Sequence, residues 1–240
     1  MDSAQKPQQQ NSASRFYFLH LVIPLVAAGL ILWVIYILGI DERITSFFFD
    51  SVTQQFPWRN NWFLEVVMHY WIKYTVIVLA VMVLAAFALS FRIASLAPLR
   101  RVLIFLVLAM GLSTAAVSFL KSVSPKQCPY DLKMYGGYAP YIALFEKTPE
   151  GIKPGKCWPG GHSSTGFCLM AFYFAGRHLR NRRLAYWGLF GGFGLGFILG
   201  FGRVIQGAHF LSHQLWAALI CWLVMLALYE LLLRRQPLTE

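Results

Sequence analysis

Charged residues are scarce in this chain, and acidic residues are the scarcest. Only 13% of its 240 residues are charged, with 10 Asp and Glu against 21 Lys and Arg, whereas 58% are hydrophobic. A soluble domain of this size has no interior volume for so much apolar surface. The composition therefore excludes an ordinary soluble protein and favours one bundle of membrane-spanning helices, each of about 20 apolar residues.

The formal net charge of +11 does not indicate a nucleic-acid-binding protein, because the chain contains no soluble basic module. The basic residues lie instead in short clusters between apolar segments. We therefore expect the lipid bilayer and its anionic headgroups as partners, and no nucleic acid. No internal repeat stands out.

Hydropathy predicts an all-α polytopic membrane protein, a six-transmembrane-helix bundle with a long periplasmic loop between spans three and four. Residues 1–15 are expected to be a disordered cytoplasmic tail, and residues 16–235 a single six-span domain. The predicted spans are about 16–40, 66–91, 102–121, 162–179, 184–204 and 210–233.

The basic clusters fall on one side of this bundle, which the positive-inside rule makes cytoplasmic. The opposite loops are 41–65, 122–161 and 205–209. We therefore expect a multi-pass protein of the cell inner membrane, with cytoplasmic termini and a periplasmic site. The residues of the clusters are Lys6, Arg15, Arg92, Arg100, Arg101, Arg177, Arg180, Arg182, Arg183, Arg234 and Arg235.

Span five carries a glycine at every fourth position from Gly188 to Gly200. Such a stripe of small residues lets membrane helices approach closely, so it predicts a helix-packing face.

Four spans each place a cation or a histidine at the same outer level. A lysine alone there can simply extend to the headgroups, and a single histidine can make one interfacial hydrogen bond. Four together predict a functional site, because ionisable residues near membrane depth are unfavourable without a role. These residues are Lys121, His162, Arg203 and His209.

Three short motifs at this level carry a family resemblance. They read KSVSPKQCP from Lys121, PGGH ending at His162, and GRVIQGAHFLSH from Gly202 to His213. In this order they resemble the motifs KxxxxxxRP, PSGH and SRxxxxxHxxxD of the type 2 phosphatidic acid phosphatase (PAP2) family. The chain resembles a divergent bacterial membrane member of that family.

The resemblance implies that Lys121 and Arg203 bind the phosphoryl oxygens, that His209 is the nucleophile, and that His162 is the general acid and base. Elementary chemistry agrees, because fixed cations neutralise a phosphate ester and a neutral imidazole attacks phosphorus. Gly161 removes a side chain where the backbone must approach phosphate. No cofactor or metal is expected.

The chain departs from the family pattern at four positions: Cys128 replaces an arginine, Gly160 and Gly202 replace serines, and His213 replaces an aspartate. His213 follows His209 by four residues, on the same helical face. A neutral His213 accepts the hydrogen bond that the aspartate accepts, without its negative charge. We therefore count it among the catalytic residues.

A disulfide between Cys128 and Cys157 is expected, because both lie in one outer loop and the outside of a bacterial membrane is oxidising. The loop it closes has about 30 residues, which corresponds to a stabilisation of about 3–4 kcal/mol. The alternative is two free thiols. Lys126 or Lys156 is expected to supply the charge of the missing arginine, and Asp131 is a candidate for orienting the nucleophile.

The leading hypothesis is a lipid phosphatase, a phosphoric monoester or diphosphate hydrolase that acts through a phosphohistidine. The resemblance suggests undecaprenyl pyrophosphate, phosphatidylglycerol phosphate, phosphatidic acid or lipid A as substrate. Alternatives are phosphotransfer between lipids and a catalytically degenerate lipid-binding protein. A metal site is a further alternative, with His209 and His213 as ligands and His162 or Asp131 completing it. The lysine and arginine at the same level argue against a bound cation.

Overall fold

The computed structural model describes residues 13–144 and 146–234. Within them the chain is helical apart from its loops and two isolated β-bridges, which join Asp50 to Gln55 and Leu132 to Ala139. The all-α prediction is confirmed for these residues. Residues 13–15, which the sequence assigned to the tail, form the first turn of a helix. The rest of that tail lies outside the described residues.

Among the described residues, five helices are long and apolar enough to cross a membrane, and they correspond to predicted spans one, two, three, five and six. A short helix follows the first of them, and a helix of mixed character corresponds to span four. In chain order the helices are α1 (Ala13–Ile37), α2 (Ile40–Phe47), α3 (Phe63–Leu89), α4 (Ala94–Val123), α5 (161–178), α6 (Arg182–Ile205) and α7 (Leu211–Arg234).

Helix α5 differs from the others because it is built from three consecutive pieces. An α-helix at Gly161–Phe167 runs through a 3-10 turn at Cys168–Met170 into an α-helix at Ala171–His178. Most of its residues are buried against α4, α6 and α7. An interior helix is shielded from lipid, which explains why its sequence, beginning GHSST, is less apolar than those of its neighbours.

Large apolar side chains cover the outside of the bundle. The exposed fraction is 77% for Trp187 and 68% for Phe190 on α6, and 60% for Trp33 on α1. Apolar surface of this extent is stable only when something covers it. Together with the long apolar helices, it identifies a protein built for the bilayer.

Helix α6 packs on α5 through the predicted glycine stripe. A methyl group added at Gly192 would lie 2.6 Å from the backbone nitrogen of Met170, and one added at Gly188 would lie 2.6 Å from the carbonyl carbon of Phe172. The other two glycines of the stripe are equally enclosed. The predicted packing face is confirmed, because only glycine lets these backbones approach so closely.

Gly192→Ala is expected to destabilise the protein by about 1–3 kcal/mol, because the new methyl group overlaps the α5 backbone. Gly194→Ala is the matched control, since no atom lies within 4 Å of its added methyl group. Alanine there favours the helix by about 1 kcal/mol. Thermal unfolding of both variants in detergent measures the difference, and equal midpoints would contradict the packing.

Candidate active site

The outer ends of four helices meet within the described structure. Lys121 lies in the last turn of α4, His162 in the first turn of α5, and Arg203 in the last turn of α6. His209 lies in the connection to α7, and its backbone N–H donates to the carbonyl oxygen of Arg203 over 3.3 Å. The other three residues are electrostatic neighbours of His209. The fold therefore assembles the four residues that the sequence placed at one level.

The side chain of Lys121 passes close to the backbone of Gly161. A methyl group added at Gly161 would lie 3.4 Å from Cδ and 3.7 Å from Nζ of Lys121. The ammonium group thus lies beside the first turn of α5, where backbone N–H groups have no partner within the helix. An anion at this point would meet both the lysine and the helix N-terminus.

His209 is buried, with only 2% of its surface exposed, and one edge of its ring is occupied. Its Nδ1 lies 3.4 Å from Nδ1 of His213 and 3.4 Å from Sγ of Cys157. Both rings are imidazoles, so one Nδ1 donates a proton and the other accepts it. The remaining nitrogen, Nε2 of His209, is the one left for chemistry.

The predicted disulfide between Cys128 and Cys157 is present, with Cα atoms 5.1 Å apart. Sγ of Cys157 lies 2.9 Å from the carbonyl oxygen of Ala208. A disulfide sulfur carries no proton, so this is a packing contact. The N–H of Gly160 adds a hydrogen bond of 2.9 Å to the carbonyl oxygen of His213. These links join the three motif segments to one another.

Burial is the main cause that lowers the pKa of His209 well below its usual value. A positive charge on this ring would be desolvated and would also be repelled by nearby groups. At pH 7 the imidazole is therefore neutral and keeps a lone pair. The neighbours that lower its pKa further are, in order of effect, His213, Lys121, His162 and Arg203.

Arg203 is held by two residues to which sequence reasoning assigned no role. Its Nη1 donates to Oε1 of Gln206 over 2.7 Å and lies 3.4 Å from Oε2 of Glu65 on α3. Gln206 is itself fixed, because its Nε2 donates to the carbonyl oxygen of Arg59 over 3.0 Å. An acidic residue at the start of an apolar span was the available signal for Glu65.

Asp41 on α2 is a further residue that the sequence analysis did not identify. Its Oδ1 accepts a hydrogen bond of 2.9 Å from the backbone N–H of Ser212, in the first turn of α7. The residue before that helix, Phe210, makes no side-chain cap of its own. Burial raises the pKa of Asp41, and the hydrogen bonds from Ser212 oppose that rise. Asp41 therefore caps the helix that begins between His209 and His213.

Three other predicted site residues lie in different surroundings. Nζ of Lys126 donates to the carbonyl oxygens of Ala143 and Glu146, each over 2.7 Å. Lys156 is exposed, with a left-handed φ of 51°. Burial raises the pKa of Asp131 and the charge of Arg59 opposes it. These contacts connect the three residues to the outer loops rather than to His209.

A cavity of about 530 Å³ lies on the far side of His213 from Lys121 and Arg203 in sequence terms, between α1, α7 and the outer loop. Its lining combines carboxylates at Asp41 and Glu42 with the apolar rings of Trp33 and Trp216. An amphiphile fits this combination better than a fully hydrated ion does.

One cluster among the described residues has the composition of a metal site. Sγ of Cys157 and ring nitrogens of His209 and His213 all lie within 4.8 Å of one another. However, the sulfur is bonded to Cys128 and offers no thiolate. The positive charges that neighbour His209 also oppose a divalent cation.

Comparison with known proteins agrees with the motifs. Residues 102–237, more than half of the chain, match the PAP2 superfamily. The chain belongs to the PAP2 superfamily. Membership implies a phosphatase that acts on phosphate esters, here on a scaffold of membrane-type helices. No curated protein and no solved structure matches the chain.

One departure from the PAP2 motifs has a steric explanation. A methyl group added at Gly160 would lie 2.9 Å from Cδ of the buried Gln214, and one added at Gly200 would lie 2.8 Å from the same atom. Gln214 therefore occupies the space that a motif serine would need at residue 160. At Gly202 the nearest atom is the flexible end of Met68, 3.1 Å away.

Lowering the pH below about 6.5 is expected to destabilise this PAP2 protein through His209. The folded pKa lies below the unfolded value, so the unfolded chain binds the proton first and stability falls as pH drops. At pH 5.5 the loss from this residue is about 1.4 kcal/mol. Unfolding midpoints measured from pH 7.5 to 5.5 should fall less steeply for His209→Gln than for wild type. Identical slopes would contradict a buried neutral His209.

Proposed function

We propose that this protein is a membrane lipid phosphatase that works through a phosphohistidine at His209 and uses no metal. The observation that carries the proposal is a neutral, buried His209 surrounded by the cations of Lys121 and Arg203 and by His162. A phosphate ester needs these parts: a nucleophile, fixed positive charge and a proton donor.

In the first step Lys121 and Arg203 bind the equatorial oxygens of the phosphoryl group. Arginine offers a planar pair of donors, and lysine acts as a point charge. Nε2 of His209 attacks phosphorus in line, and the bond to the leaving oxygen breaks. His162 donates its proton to that oxygen.

In the second step neutral His162 takes a proton from water, which attacks the phosphorylated His209. The N–P bond breaks and inorganic phosphate leaves. His213 sets the tautomer of His209 throughout, because the two Nδ1 atoms are 3.4 Å apart. An imidazole carries no negative charge, so it stabilises a cationic phosphohistidine less than a carboxylate does.

The substrate we propose is a lipid whose phosphate or pyrophosphate lies at headgroup level. The candidates are undecaprenyl pyrophosphate, phosphatidylglycerol phosphate, phosphatidic acid and lipid A. Helix α5 would be the fourth of six spans, and the site would face the periplasm from the inner membrane. The long apolar helices and their exposed side chains support this setting.

Two observations favour a second candidate, a lipid-binding protein without turnover. His213 replaces the motif aspartate, and Cys128 in its disulfide replaces the motif arginine. Both changes remove charge that the PAP2 motifs place at the site. Transfer of the phosphoryl group to a second lipid is the third candidate, because an alcohol can replace water in the second step.

His209→Ala is expected to lower phosphate release by about a thousandfold or more, because the covalent step is lost. Purified protein is assayed with the four candidate lipids in the presence of a chelator, and wild type should release phosphate from at least one. His178→Ala, at the other end of α5, is the matched control and should keep full activity.

The competing functions give different results in the same assay. Phosphate that appears on a second lipid, rather than in solution, identifies a phosphotransferase. Lipid binding that persists in His209→Ala, with no release by wild type, identifies a binding protein. Activity lost in chelator and restored by a metal ion would refute the metal-free reaction.

A further inference from the structure

The charge available to a bound phosphate is smaller than the motif residues suggest. A phosphate monoester carries nearly two negative charges at pH 7. Lys121 and Arg203 supply two positive charges, but Arg203 lies 3.4 Å from the carboxylate of Glu65. The position of the motif arginine is taken by Cys128, whose sulfur is used in the disulfide. One further cation is needed to balance the ligand.

The two lysines that the sequence suggested for this role are engaged elsewhere. Both hydrogen bonds described for Nζ of Lys126 go to loop carbonyl oxygens, and this residue lines the cavity next to α1. Lys156 is exposed in the outer loop.

Lys73 on α3 lies at the catalytic end of the bundle instead. It lines a small pocket of about 10 Å³ together with His162 and Arg203. Thr165, one turn after His162, lines the same pocket. The pocket has room for about one water molecule, so it marks an edge of the site rather than the space that a headgroup fills.

A lysine at this position is unfavourable unless it has a function. Lys73 lies within α3, whose 27 residues have a mean hydropathy of 2.4 over their most apolar window. A cation in such a segment destabilises the membrane-inserted helix by about 2.5–3.5 kcal/mol at the helix centre and less toward its ends. The side chain of Lys73 is exposed, so its flexible stem can carry the ammonium group toward the headgroup level.

We propose that Lys73 is a third phosphate-binding cation, which supplies from α3 the charge that the motif arginine would have supplied. This inference rests on the proposed phosphatase function and extends its binding site. With Lys73 included, three cations and one carboxylate surround the ligand. The net charge of these four groups is then +2, which balances a phosphate dianion.

The test measures binding of non-hydrolysable phosphonates to the full-length protein in nanodiscs of zwitterionic lipid. One ligand is a diacylglycerol phosphonate, and the other is water-soluble phenylphosphonate. Lys73→Met should weaken binding by about tenfold, the effect of losing one charge-assisted contact. Lys73→Arg should restore affinity to near the wild-type value. Lys133→Met, which removes an exposed loop lysine, is the matched control and should change nothing.

The two ligands separate the sources of the phosphoryl group. Weaker binding of both phosphonates supports a contact with the phosphoryl group itself, and weaker binding of the lipid alone supports a contact with membrane-borne phosphate. Unchanged affinity of Lys73→Met for both ligands overturns the proposal. Failure of the phosphatase assay would not be confused with this result, because phosphonate binding requires no turnover.

Discussion

The contact of His209 with His213 and the Cys157 sulfur is the interaction on which the site depends. It buries the imidazole, which keeps the ring neutral among positive charges. It also fixes the Nδ1 edge, which leaves Nε2 for an incoming group. The disulfide to Cys128 and the hydrogen bond from Gly160 to His213 hold the outer loop in place around that contact.

The glycine packing of α6 on α5 sets the other side of the site. Because these helices approach at backbone distance, Arg203 and His162 at their outer ends are brought to one place. Asp41 caps α7 from α2, so the helix that carries His213 begins at a defined residue. Rigid helix ends thus take the place of a metal in holding opposing groups together.

Local patterns predicted much of this arrangement. The glycine period, the two outer cysteines and the motif spacing gave a packing face, a disulfide and four converging side chains. The roles of Glu65, Asp41 and Gln214 could not be predicted, since each acts on a helix far away in the sequence. Helix α5 shows the same limit: its polar residues are compatible with an interior position that hydropathy does not resolve. Sequence also gave no reason to choose Lys73 over Lys126.

The most direct test is to find the phosphoryl group on the protein. His162→Ala lacks the base that activates water, so an ester with a good leaving group should phosphorylate this variant and stall there. Peptide mass spectrometry under conditions that preserve phosphohistidine should then locate phosphate on His209. Phosphate on another residue, or continued release without any phosphorylated peptide, would contradict the account.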